Sequence, residues 1–245
     1  MGEWSPSNTY TQFNGPVEGT YAGLTWIMKP VQSPAESLHE KGFLHYYAVQ
    51  FEVGGNTGYA GLQTDGAWNR ERLGPAVNFS IRNAVSWDSA SGAARRGLDR
   101  ILLPVEWEDG EEYRFTLTAA PHEGGYAWRL AVNGTLLARF LGDATLYPLR
   151  PDPIAWGEDL HRSHTYSGAA AYDCEEMEPS SLQYLHVRLL DEAGEEHAAT
   201  PTRSWISADS SETVTHENGH TTRLCTSPTV EDVEGGVQQN LGHRP

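Results

Sequence analysis

The chain is expected to fold as an all-β antiparallel two-sheet sandwich of concanavalin or jelly-roll type, with little helix. Three observations lead there. Residues 45–84 read HYYAVQFEVGGNTGYAGLQTDGAWNRERLGPAVNFSIRNA, three alternating runs separated by Gly- and Asn-rich turns. No stretch sustains an apolar stripe of period 3.6, and no internal repeat is visible. Turn signals recur at intervals of about 8 to 12 residues, the spacing of sandwich strands.

Taken in order, residues 1–16 are polar and turn-rich, and GTYAGLTWIMKP then alternates as a first strand. The block after it supplies strands near 43–53, 57–64 and 77–84. In the first of these Phe43, His45, Tyr47, Val49, Phe51 and Val53 share one face, and Leu44, Tyr46, Ala48, Gln50 and Glu52 the other. Residues 86–100 read as a Ser/Gly/Ala-rich loop, and Pro104 makes ILLPVEW an edge or interrupted strand. EYRFTLTAA, YAWRLAV and TLLARFLG should form a meander, because Asn133-Gly134 tolerates the positive φ of a two-residue hairpin. Three prolines make 143–165 a candidate surface loop carrying Trp156, His161 and His164. Strands resume near 166–173, 182–190, 196–206 and 212–225. Residues 1–226 are expected to form one β-sandwich domain, with 227–245 a flexible C-terminal tail lacking apolar periodicity.

Acidic residues outnumber basic ones 33 to 17, a formal charge of −16 that repels nucleic-acid phosphates and anionic membrane surfaces. No apolar run reaches the roughly 18 residues of a membrane-spanning helix. The N-terminus lacks the basic-then-apolar pattern of a signal peptide, so either an intracellular chain or the mature form of an exported one is expected, with the extracellular form favoured. Cys174 and Cys225 are too few for a disulfide framework; one disulfide and two buried thiols both remain open.

Several motifs invite a chemical reading. His216-Glu217-Asn218-Gly219-His220 matches the HExxH zinc pattern, but that chemistry needs a helix, and Asn-Gly between strand-like flanks reads as a hairpin turn. His161 and His164, and the acidic set Asp173, Glu175, Glu176 and Glu178, read as solvated surface rather than metal ligands. Glu106 and Glu108 share a face as a glycosidase pair would, yet they sit in an ordinary acidic hairpin. No nucleophile elbow, phosphate loop or dinucleotide fingerprint occurs, and no cofactor or metal is expected.

Aromatic residues are the remaining resource. Tyr46, Tyr59, Trp68, Trp87 and Trp156 fall beside loops or on the less apolar strand faces, with Gln50, Gln63, Asn78 and Arg82. Aromatic faces stack on the C–H face of sugars while amides and Arg bond hydroxyls; the same rings also suit plain core packing. The motifs YYAVQF, GYAGLQTDG and VNFSIRNA together resemble the bacterial family known as domain of unknown function 3472, matching at Tyr46, Tyr47, Gly58, Tyr59, Gly61, Leu62, Gln63, Phe79, Ser80 and Ile81. The resemblance implies a lectin-like β-sandwich, often exported, and no established reaction. Family members carry an aromatic residue where this chain has Arg82, which puts a charged anchor there. The expected function is non-catalytic binding of carbohydrate, or another neutral polar ligand, through Tyr46, Gln50, Tyr59, Gln63, Trp68, Asn78 and Arg82. The alternatives are a glycan-active hydrolase or lyase on the same fold and a structural or interaction module.

Overall fold

A computed structural model describes residues 8–16, 18–34, 43–68, 71–89, 95–96, 99–161, 178–206, 213–215, 221–223 and 228–242. The first ten strands are β1 Asn8–Asn14, β2 Tyr21–Gln32, β3 Phe43–Val53, β4 Asn56–Trp68, β5 Glu71–Ile81, β6 Ser86–Ser89, β7 Arg95–Arg96, β8 Arg100–Pro104, β9 Tyr113–His122 and β10 Gly125–Val132. The rest are β11 Thr135–Asp143, β12 Ile154–His161, β13 Ser180–Asp191, β14 Glu196–Ala198, β15 Thr200–Ile206, β16 Thr213–Thr215, β17 Thr221–Arg223, β18 Thr229–Val233 and β19 Gly236–Leu241. The described residues contain no helix.

The fold is an all-β sandwich of two large antiparallel sheets. One runs β15-β1-β12-β3-β4-β5-β8-β7; the other runs β18-β19-β13-β2-β9-β10-β11-β6, with β14 added beside β13. Each is built around a meander of consecutive strands, β3-β4-β5 in the first and β9-β10-β11 in the second. Tight turns make these possible: Asn133 and Gly134 both take positive φ, 48° and 78°, as the hairpin between β10 and β11 requires.

Period-2 alternation fills the space between the sheets. Tyr47, Val49 and Phe51 of β3, Leu62 of β4 and Phe79 of β5 meet Trp26, Phe115, Trp128, Phe140 and Tyr184 from the other sheet. Phe79 of β5 stands edge-on to Phe140 of β11 at 4.9 Å, joining the two sheets. The face assigned from sequence therefore holds for His45, Tyr47, Val49, Phe51 and Val53, all buried; the Phe43 side chain lies outside the described residues.

Four sequence expectations are corrected. Residues 8–14 form β1 rather than a turn-rich lead, because Thr9, Thr11 and Phe13 bury while Tyr10 and Gln12 do so only in part. The expected loop over 143–165 ends at Pro153, and Ile154–His161 is β12, paired on both sides by β1 and β3. Its three prolines punctuate the approach to the strand and leave the strand itself untouched. Ser86–Ser89 and Arg95–Arg96, inside the other expected loop, pair with β11 and β8. Finally, the expected tail carries β18 and β19, and Val237, Gln239, Asn240 and Leu241 are buried. Its amides hid it: Gln239 is fully enclosed because it donates to Ala155 O at 3.1 Å and accepts from Thr9 Oγ1 at 3.0 Å. The expected strand over 166–173, both cysteines, His164 and His216–His220 lie outside the described residues. The strands flanking the last of these pair with each other, Thr215 opposite Thr221, and so form no helix.

Candidate functional site

The outward face of the first sheet carries a groove of about 450 Å³, within the range of small-ligand sites. Its geometry follows from the ladder register. One cross-strand row reads Asn8, Glu158, Tyr46, Gln63 from β1 to β4. The next reads Trp205, Tyr10, Trp156, Ala48, Gly61, Asn78 from β15 to β5. A third reads Gln50, Tyr59, Ser80, Arg100 from β3 to β8. Neighbouring strands lie about 4.8 Å apart, so each row runs across the sheet with side chains on one face.

Small residues at the centre make room for large ones. Ala48 packs beneath Tyr46 and Trp156, with Tyr59 against the same cluster. Trp156 meets the edges of both tyrosines, with centroids 4.7 Å from Tyr46 and 5.8 Å from Tyr59. At Gly61 a Cβ would lie 1.9 Å from the Tyr47 carbonyl oxygen, so only glycine fits between β3 and its neighbours. Farther out, Tyr10 stacks on Trp205 at 5.1 Å, and the Arg203 guanidinium lies 5.3 Å from the Trp205 ring centre.

The polar atoms of this floor are underused. Tyr46 OH, Trp156 Nε1 and Asn78 Oδ1 are buried and have no hydrogen-bond partner among the described residues. Burial pushes the Tyr46 phenol well above its usual pKa; Arg100 works against this, and Glu158 and Tyr59 reinforce it. The phenol is thus neutral across the ordinary pH range, able both to donate and to accept.

Six of the seven residues singled out from sequence line this groove: Tyr46, Gln50, Tyr59, Gln63, Asn78 and Arg82. Trp68 ends β4, and its side chain lies outside the described residues. Glu52 pairs with Arg150 at 3.4 Å instead. Trp87 packs against the main core. Glu106 and Glu108 are exposed after β8 and do not line the groove. Sequence reasoning missed Asn8, Tyr10, Ser80, Asp99, Arg100 and Glu158, and placed Trp156 on a loop. The signal for most of them was the alternation of NTYTQF and of IAWGED, runs too short to stand out beside the polar and Pro-rich segments flanking them.

Asp191, Glu195 and His197 form the one cluster with metal-ligand geometry among the described residues, and none of the three lines the groove. Its hydrogen bonds already have a structural use. Asp191 accepts from the backbone N–H of Ala193 and Glu195, and its other oxygen pairs with His197 Nε2 at 2.9 Å.

The fold and the groove thus define a two-sheet β-sandwich with a polar, aromatic-floored site on one outer face. No protein-family model matches the chain, and no curated protein matches it. Among solved structures it is similar to Scytalido-glutamic peptidase in complex with a peptide-based transition-state analogue, at 9% identity over 98% of both chains and a TM-score of 0.47. It is also similar to an immunostimulatory antigen and pseudo β-1,3-glucanase of Mycobacterium tuberculosis, at 12% identity over 63% of this chain and 75% of the other and a TM-score of 0.24.

Proposed function

We propose that this protein binds carbohydrate in the groove of its first sheet. The observation that carries the proposal is that three buried polar atoms without partners, Tyr46 OH, Trp156 Nε1 and Asn78 Oδ1, belong to residues lining one aromatic-floored groove. Leaving such atoms unpaired costs about 1–3 kcal/mol each. They are a donor, a donor-acceptor and an acceptor. A sugar hydroxyl both donates and accepts, so hydroxyls spaced along an oligosaccharide match this set of donors and acceptors, while the C–H faces of its rings pack on Tyr59 and Trp156. Gln50 and Gln63 extend the same chemistry along the groove. A panel of oligosaccharides tested by isothermal titration should give at least one ligand, whose affinity falls roughly tenfold or more in Tyr59→Ala and in Trp156→Ala. No binding, or binding indifferent to both substitutions, would exclude the proposal.

A hydrolytic use of the groove has one specific observation in its favour. Glu158 and Gln63 lie directly on either side of Tyr46 in a single cross-strand row. A carboxylate there can take a proton from water as that water attacks an acyl carbon, while a carboxamide N–H donates to the oxyanion; the proton then passes to the leaving group. Glycoside cleavage suits the groove less. Its other carboxylate, Asp99, sits at the head of β8, four strands from Glu158 and so about 19 Å away along the sheet. A glycosidase pair stands about 5 to 9.5 Å apart. Under this reading amide or ester substrates are cleaved by the native protein and not by Glu158→Gln, whereas cleavage that survives the substitution removes Glu158 from the chemistry.

A further inference from the structure

The groove is electrically polar. Its β5–β8 end carries Arg82 and Arg100 with Asp99 beside them, and its opposite wall carries Glu158. In a chain with 33 acidic and 17 basic residues, two guanidinium groups against one carboxylate reverse the prevailing sign locally. Three other arginines form ion pairs: Arg139 holds Asp88 at 2.8 Å, Arg150 holds Asp152 at 3.0 Å, and Arg188 holds Glu196 at 3.4 Å. Arg82 is exposed; its backbone N–H donates to Thr57 O at 3.0 Å, and its guanidinium has no hydrogen-bond or ion-pair partner among the described residues. Arg100 lies opposite Ser80, in the row that contains Tyr59, and its charge reaches the Tyr46 phenol. The cationic end is therefore continuous with the aromatic floor.

A neutral sugar gives these arginines nothing that an amide would not supply. A planar guanidinium matches a carboxylate with two parallel hydrogen bonds, which an ammonium or amide cannot reproduce. Building on the carbohydrate reading of the groove, we infer that the ligand is an acidic glycan, a uronate-bearing oligosaccharide. Its ring carboxylate sits between Arg82 and Arg100, and its neutral hydroxyls meet Tyr46, Asn78 and Trp156. Glu158, on the far wall, sets the direction by repelling the carboxylate from that side.

Calorimetric titration with oligogalacturonate and with its methyl ester tests this, since esterification removes the charge and leaves the sugar backbone intact. The free acid should bind roughly tenfold or more tightly than the ester at low salt, because charge-assisted bonds to guanidinium are about twice as strong as neutral ones. The preference should shrink as salt is added, and it should fall in Arg82→Gln and close in the Arg82→Gln, Arg100→Gln double variant. Arg82 lies in an exposed turn, so the single variant reads out even where the double one fails to fold. Equal affinity for acid and ester, or a preference undiminished in Arg82→Gln, overturns the inference. Binding of neutral oligosaccharides without preference for the acid overturns it while leaving the groove a carbohydrate site. Binding of no glycan of either kind overturns both readings, as does binding of acidic peptides in place of uronates.

Discussion

The Tyr46 ring stands edge-on to Trp156, with centroids 4.7 Å apart and planes at 80°, and the phenol oxygen of one and the indole nitrogen of the other are both buried without a hydrogen-bond partner among the described residues. Packing this tight with polarity this idle separates two quantities that usually move together. Tyr46→Phe keeps the ring and removes the unsatisfied hydroxyl. The variant should unfold at the same or higher denaturant concentration, gaining up to about 1 kcal/mol, yet bind ligand roughly five- to twentyfold more weakly. Urea unfolding and calorimetry on the same preparation measure both; a loss of stability with unchanged affinity would place the hydroxyl in the core's service instead.

Gly61 tests whether the floor is shaped by the close approach of β3 and β4. A Cβ there meets the Tyr47 carbonyl oxygen at 1.9 Å and the Ala48 backbone at 2.5 Å, and neither is a flexible side-chain end. Gly61→Val should cost roughly 2–4 kcal/mol through backbone displacement. Chemical denaturation is the readout, and a cost below about 0.5 kcal/mol would mean that the strands separate without strain.

What was legible in the sequence, and what was not, follows from where each strand's neighbours come from. Strands β3, β4 and β5 pair with their neighbours in sequence, so Gly-rich turns and alternation made Tyr46, Gln50, Tyr59, Gln63 and Asn78 readable as one outward face. The other wall is built by β1 and β12, which come together across about 150 residues of chain. No local pattern reports such a pairing. β12 is also short, and Gly157 interrupts its apolar rhythm for a reason visible only in three dimensions: a Cβ there would meet Thr9 Oγ1 at 2.9 Å and the Tyr47 ring at 3.0 Å. The C-terminal strands were hidden differently. Gln239 and Asn240 read as surface residues until their partners on β12, β1 and β18 are known.

Those C-terminal strands should matter to the groove. Gln239 braces β12 from behind through Ala155 O, one residue from Trp156. Gln239→Ala should destabilise the protein by about 1–3 kcal/mol, since it leaves buried groups unpaired, and should weaken ligand binding as β12 loosens. Differential scanning calorimetry and titration check the two effects. Deletion of residues 228–245 should abolish cooperative unfolding, and a deletion variant that melts like the full chain would contradict the structural role of β18 and β19.

Asp191 gives a pH dependence away from the groove. Its hydrogen bond with His197, then those from the backbone of Glu195 and Ala193, hold its carboxyl below the usual carboxylate range. A carboxyl whose folded pKa is depressed contributes stability that is complete above its unfolded value, about 3.9, and is lost as pH falls toward the folded one. The melting-temperature difference between the native protein and Asp191→Ala should therefore shrink as pH falls from about 5 to below about 4. A difference that grew on acidification would reverse the assigned sign.

The most direct measurement is a crystal structure with an oligosaccharide bound. Ligand hydroxyls should lie about 2.7–3.2 Å from Tyr46 OH, Trp156 Nε1 and Asn78 Oδ1, with a sugar ring packed against Tyr59. A saccharide bound elsewhere on the molecule, or those three atoms satisfied by protein groups with the groove empty, would contradict the account.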